Sequence, residues 1–364
     1  MKILNVVGAR PNLMKIAPLV EEIERHTGSR QLLLHTGQHY DDRMSGVFFE
    51  QLGIPRPDIY LGVGSGSHAE QTAQVMVEFE KALLDVQPDV VVVVGDVNST
   101  LACAITAAKL WVPVAHVEAG LRSFDRQMPE EINRIVTDAL SSFLFTTSRS
   151  ANENLEREGI SPEKIFFVGN VMIDTLLKYR DQARAMDTPA RFGLQSGEYG
   201  LLTLHRPSNV DVPETFSGIL DALVAIQRDL PILFPAHPRT VKRIEEFGFE
   251  ERLQTASDLK IVRPLGYLEF LDLMMHSAVV LTDSGGIQEE TTILGVPCLT
   301  LRENTERPIT ITQGTNTLVG VEPDSIVAEI ENILSGESKA GRRPELWDGE
   351  TAGRIVAILR EKLH

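Results

Sequence analysis

The stretch VVLTDSGGIQEE, residues 279–290, passes from an apolar run through a Ser-Gly-Gly turn into an acidic segment. Its first residues are typical of a buried β-strand, and the glycines allow the tight turn that precedes a helix. The first backbone amides of that helix are positioned to bind a diphosphate. Glu290, one turn further on, is then within reach of ribose hydroxyls. The stretch therefore predicts a strand-turn-helix unit with an anion at the carboxyl end of the strand.

Short apolar runs alternate with amphipathic helical segments along the rest of the chain. This alternation predicts an α/β protein with parallel strands, helical crossovers and strands buried on both faces. The predicted strands are residues 3–7, 31–35, 90–94, 114–117, 166–168, 201–204, 232–235, 259–262, 279–281 and 298–301. The predicted helices include residues 15–25, 44–52, 101–110, 174–185, 213–228 and 351–362.

The length of the chain, 364 residues, exceeds the size at which one hydrophobic core usually stops growing. A charged stretch with proline and glycine, residues 187–200, interrupts the alternation of strands and helices. We therefore predict two α/β units with a boundary near residues 170–200. The last predicted helix lies too far past the last predicted strand to be assigned to either unit from the pattern.

Composition narrows the possible functions. Hydrophobic residues make up 43% of the chain and charged residues 24%, as in ordinary globular proteins. A formal net charge of -16 and a pI near 5.1 disfavour nucleic acid and anionic membranes as partners. We see no secretory signal, and the longest apolar run is too short to span a membrane. Since Cys103 and Cys298 are the only cysteines, we expect no disulfide and a cytoplasmic location.

The first predicted strand is followed by Gly8-Ala9-Arg10-Pro11-Asn12, with Lys15 one turn into the next helix. Ligands of parallel sheets bind beyond the carboxyl ends of the strands. A glycine for close approach, two cations and a helix N-terminus together favour an anion at this position. The alternative is a helix cap flanked by solvated charges.

Carboxylates follow the next strands. Asp96 comes after the apolar run at residues 90–94, and Glu118 comes after the run at residues 114–117. Asp96 also fits a helix cap, whereas Glu118 fits one poorly. Glu130 opens a helix, where an acid serves either in proton transfer or only as a complement to the helix dipole.

In the second half of the chain, histidines and arginines follow the predicted strands. His205 and His237 are candidate acids or bases, with structural hydrogen bonding as the alternative. Arg302 and Arg307 follow the last predicted strand and suit phosphate oxygens, with surface salt bridges as the alternative. The other histidines lack metal-ligand spacing, and no Gly-x-Gly-x-x-Gly follows the first strand. We therefore expect neither a metal nor a nicotinamide cofactor.

Together these segments resemble the non-hydrolysing UDP-N-acetylglucosamine 2-epimerases. The resemblance covers essentially the whole chain in order, and its longest motifs are improbable by chance. The motifs are GARP at residues 8–11, TGQH at 36–39, HVEAGLR at 116–122, PEEINR at 129–134, DSGGIQEE at 283–290 and TERP at 305–308.

The resemblance implies a GT-B-like fold, in which two Rossmann-type domains face each other across a cleft. The last helix is then expected to return to the first domain. On this basis we predict a first domain of residues 1–171 plus 350–364 and a second domain of residues 172–349. The resemblance also implies a homodimer.

Site residues follow from the same resemblance. Phe270 and the main chain near Leu265 are expected to meet the uracil. The residues expected to hold UDP are Arg10, Ser284, Gly285, Gly286, Glu290 and Arg307. The residues expected around the sugar or in catalysis are Lys15, Asp96, Glu118, Glu130 and His205.

The implied reaction inverts C2 of a UDP-linked sugar, with UDP-N-acetylglucosamine as the leading substrate. Departures from the family motifs at Ala9, Asn12, Val97 and the Pro207-Ser208 pair leave UDP-glucose and a UDP-2,3-diacetamido uronic acid open. The sequence leaves three further functions open, namely a hydrolysing 2-epimerase, a glycosyltransferase and a catalytically silent UDP-sugar sensor. Only part of the motif for a second, allosteric nucleotide site is present around Gln38, His39 and Arg43.

Overall fold

The strands form two separate sheets in a computed structural model that describes residues 1–37 and 49–363. Every strand pairing within these two sheets is parallel. The chain divides into two compact units, which we call the first unit (Met1–Lys178 with Glu345–His364) and the second unit (Tyr179–Pro344). The predicted α/β class with two Rossmann-type parallel sheets is confirmed.

The sheet of the first unit has the order β3-β2-β1-β4-β5-β6-β7. All five residues of β4 are valines and all are buried, as expected for a strand covered on both faces. The order reverses direction between β1 and β4, which is where doubly wound sheets bind ligands. The strands are β1 Lys2–Val7, β2 Arg30–His35, β3 Ile59–Tyr60, β4 Val90–Val94, β5 Val114–Ala119, β6 Phe143–Thr146 and β7 Ile165–Phe167.

The sheet of the second unit repeats this arrangement with the order β10-β9-β8-β11-β12-β13. Its reversal lies between β8 and β11, so the Ser-Gly-Gly turn after β11 stands at the switch point. The strands are β8 Gly200–Thr203, β9 Ile232–Pro235, β10 Leu259–Val262, β11 Val279–Thr282, β12 Cys298–Thr300 and β13 Asn316–Leu318.

Helices connect the strands in both units. Those up to residue 184 are α1 Arg10–Glu24, α2 His68–Val86, α3 Asn98–Lys109, α4 Pro129–Leu140, α5 Arg149–Arg157 and α6 Val171–Arg184, with a 3-10 turn at Pro162–Lys164. Those of the second unit are α7 Thr188–Arg191, α8 Pro207–Val210, α9 Pro213–Ile226, α10 Pro238–Glu246, α11 Glu250–Gln254, α12 Tyr267–His276, α13 Gly285–Leu294, α14 Pro308–Thr312 and α15 Pro323–Leu334. The last helix is α16 Thr351–Lys362, and no helix among the described residues is long and apolar enough to cross a membrane.

The C-terminal segment belongs to the first unit. Helix α16 packs against α1, and its start is fixed because Ala352 N donates to Asp174 Oδ2 at 2.7 Å. Just before it, the fully buried Trp347 donates from Nε1 to the carbonyl of Thr147 at 2.8 Å. Residues at opposite ends of the chain therefore build one compact unit.

The sequence located most elements closely. The strands at Val90–Val94, Ile232–Pro235 and Leu259–Val262 have the predicted limits. Strands β3, β6 and β13 were not among the predicted ones, since each has only two to four residues and little apolar length. Most of the predicted helix at residues 44–52, together with Gln38, His39 and Arg43, lies outside the described residues.

Candidate active site

The turn after β1 is packed tightly against β4 and α3. A side chain at Gly8 would place its Cβ 2.8 Å from Thr36 Oγ1 and closer still to Ser99 Oγ, so only glycine fits. Asn12 accepts from Ala9 N at 2.9 Å and donates from Nδ2 to the carbonyl of Val94 at 2.9 Å. The asparagine at this position therefore ties the start of α1 to the end of β4.

Lys15 Nζ forms a buried ion pair with Glu118 Oε2. The exposed fractions of the two side chains are only 8% and 3%. Gly95 makes room for this pair, because a Cβ there would lie 3.0 Å from Lys15 Nζ and 3.6 Å from Glu118 Oε2. Placing two charges out of water is costly, and such pairs recur where the charges serve a function.

The backbone at Glu118 is itself unusual. Its φ of +75° lies in the left-handed region, which residues with a Cβ rarely adopt. The register of the β5·β6 pairing shifts between Val117 and Ala119, as at a β-bulge. Strain of this kind costs on the order of 1–3 kcal/mol and is concentrated at functional sites. Here it aims the Glu118 carboxylate at Lys15.

Asp96 follows β4, and Glu118 lies at the end of β5. The two strands are neighbours in the sheet, so both acids lie at the same edge. Its carboxylate forms an ion pair with Arg134 Nη1 and keeps 26% of its side-chain surface exposed. Its carbonyl accepts from Asn133 Nδ2 at 2.9 Å. Val97, and not Asp96, is the N-cap residue of α3, so the capping interpretation of Asp96 does not hold.

The two acids that open α4 have different surroundings. Glu131 is buried and accepts from Ser123 N at 3.0 Å, from Phe124 N at 2.9 Å and from Arg134 Nη2 at 2.6 Å. Burial raises the pKa of Glu131, but these hydrogen bonds and the arginine more than offset it and lower the pKa overall. Glu130 is half-buried and has no hydrogen-bond or ion-pair partner among the described residues. Glu131 is therefore held by the protein itself, whereas no described residue holds the Glu130 carboxylate.

In the second unit, His205 follows β8 and is held by Asp283. His205 Nδ1 lies 2.9 Å from Asp283 Oδ1, while half of the imidazole surface, 51%, remains exposed. Asp283 Oδ2 also accepts from the backbone N of His205 at 2.9 Å and of Arg206 at 2.8 Å. Burial raises the pKa of Asp283, but His205 and the backbone donors lower it overall. The ring is thus fixed through Nδ1, and Nε2 is the nitrogen available to a ligand.

The glycine turn after β11 lies against Arg307. Ser284 is the N-cap residue of α13, and a Cβ on Gly285 would overlap the Arg307 guanidinium. Arg307 pairs with Glu289 at 2.9 Å and with Glu306, and all three side chains are buried. A helix N-terminus and a fixed guanidinium therefore stand together, which is suited to phosphate oxygens.

Further into α13, Glu290 is buried and accepts from the hydroxyl of Tyr267 at 2.9 Å. Burial raises the pKa of Glu290 to about 7. Phe270 lies half-buried on α12, which packs against α13. Ser284, Gly285 and Glu290 therefore lie along one helix, and Arg307 lies against its first residue.

Other predicted residues have different places. His237 caps α10, accepting from Arg239 N at 3.2 Å, which agrees with the structural interpretation of that histidine. The Arg10 side chain lies outside the described residues. In the described ranges no group of three or more His, Cys, Asp and Glu side chains could hold a metal ion.

The sequence did not single out Glu131, Arg134, His116 or Asp138, all of which are buried around the carboxylates of the first unit. The spacing of Glu131 and Arg134 on one helix was the available signal, because residues three apart face each other. No local signal links His116 to Asp138, which lie on different elements.

Comparison with known proteins decides the family. The chain matches the family model described as UDP-N-acetylglucosamine 2-epimerase over residues 21–360. It is 45% identical to the UDP-N-acetylglucosamine 2-epimerase of Methanocaldococcus jannaschii, over 99% of both chains. The chain belongs to the UDP-N-acetylglucosamine 2-epimerase family.

Solved structures of the 2-epimerase family agree with this assignment. A crystal structure of the M. jannaschii UDP-GlcNAc 2-epimerase in complex with UDP-GlcNAc and UDP superposes with a TM-score of 0.93 at 45% identity, covering 99% of this chain and 100% of that one. The family is not uniform in substrate. The UDP-2,3-diacetamido-2,3-dideoxy-D-glucuronate 2-epimerase of Pseudomonas aeruginosa is 44% identical over 99% of both chains.

Proposed function

We propose that this chain interconverts UDP-N-acetylglucosamine and UDP-N-acetylmannosamine without hydrolysing them. The observation that supports this most strongly is the pair of carboxylates, Asp96 and Glu118, at adjacent strand ends in a chain of the 2-epimerase family. Each carboxylate has a cationic partner, Arg134 for Asp96 and Lys15 for Glu118. Such an arrangement is suited to moving a proton on and off carbon.

The chemistry requires two stages. C2 of the sugar is not next to a carbonyl, so its proton is not acidic in the intact substrate. When the C1–O bond breaks, its electron pair leaves with UDP and the sugar becomes oxocarbenium-like. A base then takes the C2 proton, giving a glycal and bound UDP. Re-addition of the UDP oxygen at C1 and of a proton on the other face of C2 completes the inversion.

We assign the proton transfers to Asp96, Glu118 and Glu130, with Lys15 stabilising charge beside Glu118. Glu130 is included because it alone among the acids opening α4 is left without a structural partner in the described ranges. His205 is assigned to the sugar or the leaving oxygen, since Asp283 orients its ring.

We assign most of the UDP contacts to the second unit. Ser284, Gly285 and Gly286 supply amides at the start of α13, and Arg307 supplies a guanidinium fixed by two acids. Glu290 is assigned to the ribose hydroxyls and Phe270 to the uracil. Arg10 of the first unit is assigned to the diphosphate by family resemblance alone.

Proton NMR in deuterated water tests the reaction. Purified protein is mixed with UDP-N-acetylglucosamine without added cofactor and followed to equilibrium. We expect UDP-N-acetylmannosamine to appear with deuterium at C2, and the remaining UDP-N-acetylglucosamine to gain deuterium as well. Accumulation of free N-acetylmannosamine and UDP would instead indicate a hydrolysing enzyme, and an unchanged spectrum would refute the proposal.

A second substrate is supported by a specific observation. The P. aeruginosa relative, which is named for a 2,3-diacetamido uronic acid, is as similar to this chain as the M. jannaschii one, at 44% and 45% identity. The same deuterium assay with both UDP-sugars in one tube decides between them. Faster C2 exchange in UDP-N-acetylglucosamine supports our proposal, and faster exchange in the uronate reverses the substrate assignment.

We also propose a homodimer formed through the first unit. Helices α2, α3 and α4 pack side by side and leave apolar side chains exposed, among them Val77, Leu84 and Ile132. Trp111, just after α3, is 93% exposed. Light scattering after size exclusion is expected to give the mass of two chains, and a monomer at micromolar concentration would contradict this.

We place the enzyme in the cytoplasm. Cys103 and Cys298 are both free and buried, and burial raises the pKa of each thiol, so neither is poised for oxidation. Fractionation of the source cells with an antibody is expected to recover the chain with cytosolic markers. Recovery with secreted or membrane fractions would contradict the assignment.

A further inference from the structure

A buried histidine links the two carboxylate-bearing strand ends of the first unit. His116 lies in β5 with no exposed surface. Its Nε2 lies 2.8 Å from the carbonyl oxygen of Gly95, the residue before Asp96. Because a carbonyl oxygen only accepts, Nε2 carries the hydrogen and donates. Its Nδ1 lies 2.6 Å from Asp138 Oδ1.

Asp138, on α4, connects this histidine to the backbone just after Glu118. Its Oδ2 accepts from Gly120 N at 3.1 Å and pairs with Arg122 Nη2 at 2.8 Å. Arg122 is fixed in turn by Glu158, with contacts of 2.7 Å and 2.6 Å. Burial raises the pKa of Asp138, but His116 and Arg122 lower it overall, so the carboxylate is ionised.

The backbone between these anchors has little freedom. Glu118 is in the left-handed region, and Gly120 has a φ of +77°. A Cβ on Gly120 would lie 2.5 Å from the carbonyl oxygen of Ala151, so α5 closes this segment from the other side. The strained conformation at Glu118 persists only if neighbouring contacts fix the chain on both sides of it. Asp138 provides one of these contacts.

We propose that His116 and Asp138 are positioning residues that hold the Asp96 and Glu118 carboxylates in register for proton transfer at C2. The inference rests on the proposed function, because it names the buried pair that sets the geometry of the proposed acid–base groups. Neither residue contacts the substrate. His116 acts through the Gly95 carbonyl on Asp96, and Asp138 acts through Gly120 on Glu118.

Two substitutions of His116 separate its two contacts. In His116→Gln the side-chain amide nitrogen takes the place of Nε2 and keeps the bond to Gly95, while Asp138 Oδ1 loses its donor. In His116→Asn the amide nitrogen takes the place of Nδ1 and keeps the bond to Asp138, while the Gly95 carbonyl loses its donor. A buried carboxylate oxygen without a donor costs more than a carbonyl oxygen without one.

The two variants should therefore rank oppositely in stability and in activity. His116→Gln is expected to melt at a lower temperature than His116→Asn yet to keep the higher kcat, because it retains the contact that places Asp96. Misplacing a catalytic group by about 1 Å costs about a hundredfold, which is the fall in kcat expected for His116→Asn. The dissociation constant for UDP should change less than about twofold in both, since all proposed UDP residues except Arg10 lie in the second unit.

Leu83→Ala is the control. Leu83 is a buried core residue near the end of α2 and takes part in none of the hydrogen bonds or ion pairs described for the carboxylates, so its truncation lowers the melting temperature and leaves those contacts in place. Its kcat is expected to equal that of the unsubstituted protein. If kcat instead follows melting temperature across all three variants, His116 is only structural and the inference fails.

Crystal structures of both variants test the positions of the carboxylates directly, without any measurement of activity. The result therefore does not depend on the proposed function. We expect the Gly95–Asp96 turn to shift in His116→Asn and to stay in place in His116→Gln. Superimposable Asp96 and Glu118 side chains in both variants would overturn the inference, whether or not the protein turns over UDP-N-acetylglucosamine. Failure of the unsubstituted protein in the deuterium assay would refute the proposed function alone.

Discussion

The two units share one strand order around their switch points and differ in what stands there. At the ends of β1, β4 and β5, the first unit places a buried Lys15–Glu118 pair on a strained backbone. At the ends of β8 and β11, the second unit places a glycine turn, a helix N-terminus and Arg307 neutralised by two acids. We therefore assign proton transfer mainly to the first unit and anion binding mainly to the second, and the difference between them lies in a few residues after the strands.

The sharpest test of this contrast is Glu118→Gln. The amide keeps the shape of the carboxylate but cannot accept a proton, so kcat is expected to fall by about 10²–10⁴-fold. UDP affinity should be unchanged, because every residue assigned to UDP except Arg10 lies in the second unit and Glu118 is not among them. Steady-state kinetics and isothermal titration with UDP measure the two quantities. The control is Glu163→Gln, an exposed acid of the same unit; equal kcat values for the two variants would remove Glu118 from the mechanism.

Two buried carboxyl groups, Glu118 of the first unit and Glu290 of the second, have different surroundings: Glu118 has an ion-pair partner, whereas Glu290 has, among the described residues, only the hydroxyl of Tyr267. Burial raises the pKa of Glu290 from its usual 4.5 to about 7, with Glu289 adding to the rise and the Tyr267 hydroxyl opposing it. Since the folded-state pKa is the higher one, the stability that the neutral group contributes is complete below pH 4.5 and is lost as pH rises through 7.

The glutamine in Glu290→Gln cannot ionise, so this variant should not lose stability as the pH rises through 7. Its free energy of unfolding is expected to match that of the unsubstituted protein near pH 4.5 and to exceed it by about 3 kcal/mol at pH 8. Chemical denaturation at the two pH values measures the difference. A difference that does not change with pH would show that Glu290 titrates normally and would weaken the contrast with Glu118.

Arg307→Lys tests the anion-binding side. Lysine keeps the charge but loses the planar fork, so the dissociation constant for UDP is expected to rise about 10–100-fold. The kcat at saturating substrate should change far less. Arg228→Lys, an exposed arginine on the same unit, serves as the control in the same titration. A large fall in kcat with unchanged UDP affinity would place Arg307 in the chemistry instead.

We expect the smallest effect from a substitution at Trp347, which joins the C-terminal segment to the rest of the first unit. Trp347→Phe removes the hydrogen bond from Nε1 to the Thr147 carbonyl and is expected to lower the free energy of unfolding by about 1–2 kcal/mol. UDP affinity should not change. Trp111→Phe, at a tryptophan that is 93% exposed, is the matched control. Equal denaturation midpoints for the two variants would show that the contact contributes little.

Much of the fold followed from the sequence because buried parallel strands are continuous apolar runs. The five β-branched valines at Val90–Val94 predict a buried strand, and the glycines after β11 mark the turn into α13. Strand β6, Phe143–Thr146, escaped prediction because four residues between polar neighbours resemble a loop as much as a strand. The return of α16 to the first unit depends on contacts such as that of Trp347 with Thr147, which no local pattern contains.

The sequence predicted which residues of the candidate site lie at strand ends. It did not predict which of their side chains form ion pairs with one another. Asp96 and Glu118 could be placed together because parallel strands end at one edge. The Lys15–Glu118 contact joins residues far apart in the chain, and no spacing rule reaches that far. The family resemblance named Glu130 and not Glu131, but the physical difference between them, the burial of Glu131 against Ser123 and Arg134, is visible only in the structure.

The most direct test of the division between the units measures UDP affinity and C2 deuterium incorporation on Glu118→Gln and Arg307→Lys side by side. We expect Glu118→Gln to bind UDP normally and lose deuterium incorporation, and Arg307→Lys to bind UDP weakly and keep incorporation at saturating substrate. If both variants lose both properties in the same proportion, binding and proton transfer are not divided between the two units.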